Sequence, residues 1–236
     1  MKKTAVLILL FQLFISCNGL NNKVAYSQKL ESGYNGPVKK VTTYICEIKR
    51  YGQIPTDTTS YKVKMTTVFD SLGNILESNS LYKLSDYTTE TSSIYSGTGK
   101  NRTVKEKAIT GLDIKEDSYQ YIWSDDYNFM VVPMGKPAKS DITSTTTLDS
   151  DFRVLKTQYK RGDTIRIIDE FEYRGKQEKI HKRTVNEGES QRIIYQVMVT
   201  KEYDQHGNPT VTYLYVDPDK TKLDSVVFTE YEYYKK

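Results

Sequence analysis

Two glutamates and two histidines are the residues here whose types and spacing would suit catalysis. Glu170 and Glu172 stand two apart in an alternating stretch. In a strand they would share one face, with Cα atoms ~6.8 Å apart. Glycosidase carboxylates sit roughly 5–9.5 Å apart, so the spacing admits acid–base work. Glu230 and Glu232 repeat the pattern, however, and it arises wherever the solvent face of a sheet is acidic. A solvated face accounts for both pairs. His181, in a polar stretch, and His206, in a turn, are the only histidines and read as surface residues. Neither has a cysteine or histidine at metal-ligand spacing. Asp125-Asp126 and Asp217-Pro218-Asp219 lack the dense ligand spacing of a calcium loop. Arg161-Gly162-Asp163 matches an adhesion tripeptide, but a charged hairpin turn explains it. No glycine-rich phosphate loop leads into a helix, and no serine sits in a nucleophile elbow. The expectation is no enzyme, no metal and no cofactor.

A different chemistry is offered by Cys17. Lys2 and Lys3 precede an almost wholly apolar run from Ala5 to Ile15, and Ser16-Cys17 follows. A basic start and an apolar segment too short to span a bilayer make a secretory signal, not a transmembrane helix. The Phe14-Ile15-Ser16-Cys17 stretch resembles the lipobox of bacterial lipoproteins, with Phe14 where leucine is usual. That resemblance implies a diacylglyceryl group on the Cys17 thiol and cleavage before it. Two or three acyl chains hold firmly where a single myristoyl chain holds only marginally. The alternative is ordinary secretion with a cut after Gly19. On the lipoprotein reading residues 1–16 are signal, residues 17–23 a polar tether, and residues 24–236 a domain. The tether has no acidic run of the kind that marks some surface-exported lipoproteins. The expected address is therefore the cell envelope, lipid-anchored to the outer membrane and facing the periplasm.

A motif occurs twice in the domain. Phe69-Asp70-Ser71-Leu72-Gly73-Asn74 and Tyr203-Asp204-Gln205-His206-Gly207-Asn208 share an aromatic, an aspartate, two variable residues, glycine and asparagine. Leu148-Asp149-Ser150-Asp151-Phe152-Arg153 is a degenerate third copy. Aspartate can bond backbone amides two residues on, and glycine supplies the left-handed position of a tight turn. Asp70, Gly73, Asn74, Asp204, Gly207 and Asn208 are thus the defining turn residues. The pattern resembles the YD-repeat hairpin of Rhs-type proteins and of many Gram-negative envelope lipoproteins. Gly36-Pro37-Val38-Lys39-Lys40-Val41-Thr42 also looks like the opening of those lipoproteins. The resemblance implies a β-hairpin scaffold and brings no catalytic residue.

The elements that position these turns follow from periodicity. Tyr61, Val63, Met65 and Phe69 alternate with Lys62 and Lys64, and Ile193, Tyr195, Val197 and Val199 with Arg192, Gln196 and Thr200. Period-two patterning is the mark of antiparallel strands. The 20 tyrosines, with abundant threonine and valine, fit a pleated half-buried surface better than a helix. The expected fold is all-β: an antiparallel meander of about a dozen strands, curled or partly closed into a barrel. That exceeds the ~10 strands an open twisted sheet tolerates. Pro133-Met134-Gly135-Lys136-Pro137 either separates two lobes, 24–132 and 141–236, or forms a long loop within one sheet. Cys46, the only other cysteine, reads as a small buried hydrophobe.

Composition narrows the function classes. Removing residues 1–16 leaves 32 basic against 30 acidic residues, too balanced for nucleic-acid binding by bulk electrostatics. Tyr119, Tyr121, Trp123 and Tyr127 form one aromatic cluster, and Tyr231, Tyr233 and Tyr234 another. Rings in such numbers pair across strands, pack on a partner or stack on sugars. The leading expectation is a tethered, non-enzymatic binding or scaffolding module for an envelope protein or glycan. The alternatives are a curved-sheet carrier of an apolar ligand and a secreted glycan-binding or glycan-active protein. An open apolar face distinguishes the carrier, and an exposed coplanar ring pair beside carboxylates the glycan protein.

Overall fold

The computed structural model describes residues 25–48, 53–135, 142–188 and 190–235. Cys17 and the signal segment lie outside them. A single turn of helix, α1 (Gln28–Glu31), precedes fourteen strands. These are β1 (Val38–Glu47), β2 (Val63–Phe69), β3 (Ile75–Lys83), β4 (Thr88–Thr98), β5 (Asn101–Thr110), β6 (Asp113–Trp123) and β7 (Asn128–Pro133). After them come β8 (Ile142–Leu148), β9 (Val154–Arg161), β10 (Thr164–Arg174), β11 (Glu178–Glu187), β12 (Ser190–Tyr203), β13 (Pro209–Tyr215) and β14 (Leu223–Tyr233). Each pairs antiparallel with its neighbours in sequence, and β14 returns to β1 with Val41 opposite Tyr231. The all-β meander is therefore a closed barrel, and closure removes the two edges an open sheet would expose.

Local sequence explains the meander. Gly99-Lys100, Gly111-Leu112 and Gly162-Asp163 are two-residue hairpin loops, each with its glycine at positive φ. Such loops match the twist of the strands they join. Pro133 closes β7 opposite Tyr119, at a strand end where a missing N–H matters least. β8 pairs with β7, so the strands on both sides of the Pro133 segment belong to one barrel. Cys46 is fully buried, with its thiol 3.6 Å from the Asp57 carbonyl in the β1–β2 connection.

An up-and-down barrel has two ends. The β2–β3, β4–β5, β6–β7, β8–β9, β10–β11 and β12–β13 turns share one end, with the start of β1. The alternate connections share the other. A buried cluster of Val38, Val41 and Phe69, joined by Tyr34, Ile75, Tyr231 and Tyr233, lies at the first end.

The register sorts side chains into two walls. The outer wall carries ion pairs between neighbouring strands: Lys40–Glu232 at 2.8 Å, Lys107–Glu116 at 3.0 Å and Lys182–Glu170 at 3.2 Å. One outer sector is apolar, where Val197 faces Tyr215 and Val226 faces Tyr213. Elsewhere lysines and glutamates alternate with inward residues. A bilayer-facing wall instead needs an apolar band ~25 Å tall.

Candidate functional site

The residues before β1 fill the first end of the barrel. Tyr26 meets Trp123 edge-on with ring centres 4.6 Å apart, and also Phe152 at 5.8 Å. Tyr34 meets Phe69 and Tyr231 in the same way. Glu31 lies within electrostatic reach of Tyr95, Tyr121 and Tyr173, which belong to β4, β6 and β10. A segment can address so many strands only from inside the mouth. It is a plug, and the residues in register with Tyr95, Tyr121 and Tyr173 line the lumen.

The turn motif holds the plug. Asp70 Oδ1 accepts from the backbone N–H groups of Leu72 (2.9 Å) and Asn74 (2.8 Å), and Oδ2 accepts from Asn74 Nδ2. Burial opposes ionisation of Asp70, but these bonds outweigh it and hold the carboxyl below the usual range. Asp204 repeats the geometry with His206 and Asn208 and also accepts from the Tyr233 hydroxyl. Gly73 and Gly207 take φ of +85° and +79°. A Cβ on Gly73 would stand 2.9 Å from Ser27 Oγ, so glycine there admits the plug as well as the turn. Asn74 accepts from Gly99 N–H, while Gln28 Oε1 of the plug accepts from Ile75 N–H. Gly73, whose carbonyl accepts from Lys29 N–H, and Ile75 thus meet the plug on one side, and Asn208, bonded to Asn35, meets it on the other.

The degenerate copy folds alike. Asp149 accepts from Asp151 and Arg153 N–H, Phe152 takes the left-handed position at φ +64°, and Arg153 Nε replaces the asparagine amide. Asp125 to Asn128 forms a further, shorter version that lacks the glycine: Asp125 accepts from Tyr127 and Asn128 N–H and from Asn128 Nδ2. The signal that finds it is aspartate before asparagine at a strand boundary. All four turns lie at the plugged end.

Other singled-out residues fall elsewhere. Glu170 and Glu172 are on the outer wall, bonded to Lys182 and Arg174. The Arg161-Gly162-Asp163 turn is at the far end. Asp217 accepts from Thr221 and Lys222 N–H as a turn residue. Among the described residues no group of three or more His, Cys, Asp or Glu is placed to hold a metal. His206 packs against Tyr233 with ring centres 4.2 Å apart and planes tilted by 42°.

His181 corrects its surface reading. It faces the lumen with Nε2 2.8 Å from Asp169 Oδ1 and Nδ1 3.0 Å from Gln196 Oε1, and it stacks on Phe171 at 4.6 Å. Asp169, 3% exposed, also accepts from Arg183 Nε (2.7 Å) and a terminal nitrogen (2.9 Å). Burial pushes the Asp169 carboxyl up, but the bonds from Arg183 and His181 prevail and hold it low. In the plug the balance is reversed. Burial raises the Glu31 carboxyl to about 6, against the opposing bond from the Tyr26 hydroxyl at 2.5 Å.

Beyond the plug the interior is not a packed core. Ile45, Met65, Ile167, Ile194 and Met198 point inward yet remain half-buried, and the facing wall on β3 and β4 carries Ser78, Ser80 and Thr91. Roughly eight strands suffice to fill a barrel with side chains, whereas 16–18 leave an aqueous channel. Fourteen leave space. Toward the far end a cleft of about 720 Å³ runs from Tyr119, Pro133 and Arg161 onto the outer wall at Ile94, Lys105 and Glu116. The chemistry on offer is binding: rings and aliphatic groups for an apolar body, charged and hydroxyl groups for a polar head.

No protein-family model matches the chain, and no curated protein matches it. Among solved structures it is similar to a porin-like protein from Bacteroides uniformis ATCC 8492, with 11% identity over 84% of this chain and 98% of that one, at a TM-score of 0.46. Its own geometry defines the class: a closed antiparallel barrel with a half-open lumen, plugged at one end by its N-terminal segment.

Proposed function

We propose that this protein is a non-enzymatic binding barrel of the bacterial cell envelope, held at the outer membrane by lipidated Cys17 and facing the periplasm. The observation that carries the reading is the plugged, half-open lumen. The chain enters the barrel at the plugged end, so a membrane anchor at Cys17 would draw that end toward the bilayer. Seven residues, Asn18 to Val24, reach at most ~25 Å. The open end would then face away from the membrane, toward envelope ligands. A tether also concentrates the barrel at the surface, where modest affinity suffices. The charged outer wall supports a barrel beside the bilayer rather than through it, since each lysine at the bilayer midplane costs ~2–4 kcal/mol.

The test is the intact mass of the mature protein from its native envelope. A mass beginning at Cys17 with two or three acyl chains is expected. An unmodified chain beginning near Leu20 overturns the anchor.

A further inference from the structure

Among the described residues, Lys179 is a lumen-facing cation with no acid beside it. Lys179, second residue of β11, faces inward between Tyr173 of β10 and Met198 of β12. Its ammonium lies 4.6 Å from the centre of the Phe171 ring and 5.4 Å from that of Tyr173. The neighbouring cations are engaged. Arg183 is bonded to Asp169, Arg153 to Asp149, and Arg102 to the carbonyls of Gly97 and Ile75. Two further donors at this end, Arg102 Nε and the Trp123 indole N–H, are buried without a protein acceptor. Desolvation within the barrel holds the Lys179 ammonium below the ordinary lysine range. A half-buried lysine without a counter-charge loses part of its hydration unless something compensates it. Rings compensate part of that cost through their quadrupoles. A carboxylate would do so far better.

We propose that the lumen binds an organic carboxylate with an apolar body, its anionic head on Lys179 and its body against Phe171, Tyr173 and Met198. The inference rests on the binding-barrel reading and names its ligand class. A long-chain acid and an aromatic acid share this chemistry. The wall offers a cation no free carboxylate at Asp169, which is saturated by Arg183 and His181.

The test uses the full-length chain carrying Cys17→Ser, with cis-parinaric acid, its methyl ester and 2-naphthoic acid as probes. The wild-type lumen is expected to enhance parinaric acid fluorescence saturably. Lys179→Gln should weaken that binding about tenfold or more, the worth of one charge-assisted bond. It should leave the weaker binding of the ester unchanged. Displacement by 2-naphthoic acid assigns the aromatic arm, and displacement only by long-chain acids the aliphatic one. Circular dichroism shows whether Lys179→Gln keeps the fold. Lys179→Arg, which retains the charge, should retain most of the affinity. Equal binding of acid and ester, or no loss in folded Lys179→Gln, overturns the carboxylate site while leaving a binding barrel. No binding of any probe overturns both.

Discussion

Asn208 and Asn35 exchange two hydrogen bonds through one side chain. The Asn35 backbone N–H donates to Asn208 Oδ1 at 2.7 Å, and Asn208 Nδ2 donates to the Asn35 carbonyl at 3.0 Å. A side-chain amide thus pairs with the N–H and the carbonyl of one residue 173 positions away, as a strand neighbour would. The same amide donates to the Tyr233 hydroxyl, and Asn208 is fully buried. Asn208→Ala removes all three bonds and leaves buried partners unsatisfied, so it should cost about 2–3 kcal/mol. Asn79→Ala, on the exposed outer wall, should stay within about 0.5 kcal/mol. Urea unfolding of the two variants compares them. Equal midpoints would mean that the motif's last residue is not a latch.

Glu31 gives the plug a pH dependence of definite sign. Its folded carboxyl titrates at about 6, above its ordinary value of 4.5. The native state therefore binds the proton more tightly than the unfolded chain. That stabilisation is complete below the unfolded value and is lost as pH rises through about 6. Glu31→Gln keeps an acceptor for the Tyr26 hydroxyl and has no charge to desolvate. It should gain up to about 2 kcal/mol on wild type near pH 7.5 and almost nothing near pH 4. Unfolding midpoints of both proteins at the two pH values decide it. A gap of the same size at both would show that desolvation of Glu31 is not its source.

Asp169 titrates in the opposite sense. Its carboxyl is held low by Arg183 and His181, so the stability it supplies is present at neutral pH and is lost as pH falls through the carboxylate range. Asp169→Ala strands Arg183 and His181 inside the lumen. Breaking a buried network from one side costs about 3–5 kcal/mol. Arg183 is 41% exposed by side chain, so Arg183→Ala should cost clearly less. Thermal unfolding at neutral pH ranks the pair, and the reverse order would contradict the assignment of Asp169 as the hub.

Alternation in Ser60–Phe69 and Arg192–Thr200 was enough to read strands, and Asp-x-x-Gly-Asn was enough to read its turns. The inward face was not legible, because both walls carry tyrosine: Tyr44 packs on Tyr61 outside while Tyr121 packs on Phe129 inside. His181 misled for a related reason. In a sheet with one wet side polar means exposed, but a wide barrel has a second polar surface within. Closure was hidden by distance, since Lys40 meets Glu232 across 192 positions. The plug left no pattern, because Gln28 and Asn35 act through single amides rather than through a periodic face.

The outer wall makes a final prediction about how the protein partitions. Lys105, Lys107, Glu90 and Glu116 are exposed on adjoining outer strands, and Glu170 and Lys182 pair on the β10–β11 sector. Inserting such a wall would cost several times the ~2–4 kcal/mol of one midplane lysine, while the lumen would hold the apolar groups that lipid prefers. Attachment should therefore depend on the N-terminus alone. Cells expressing wild type should retain the protein in the membrane fraction through a high-salt wash and release it only with detergent. A chain whose first 17 residues are exchanged for a cleavable secretory signal should leave the barrel in the soluble periplasmic fraction. It should unfold at the same temperature as the lipidated form, because the exchange leaves every described plug contact, from Tyr26 to Asn35, in place. A barrel that stays with the membrane after that exchange would show that its outer wall, and not the N-terminus, anchors it.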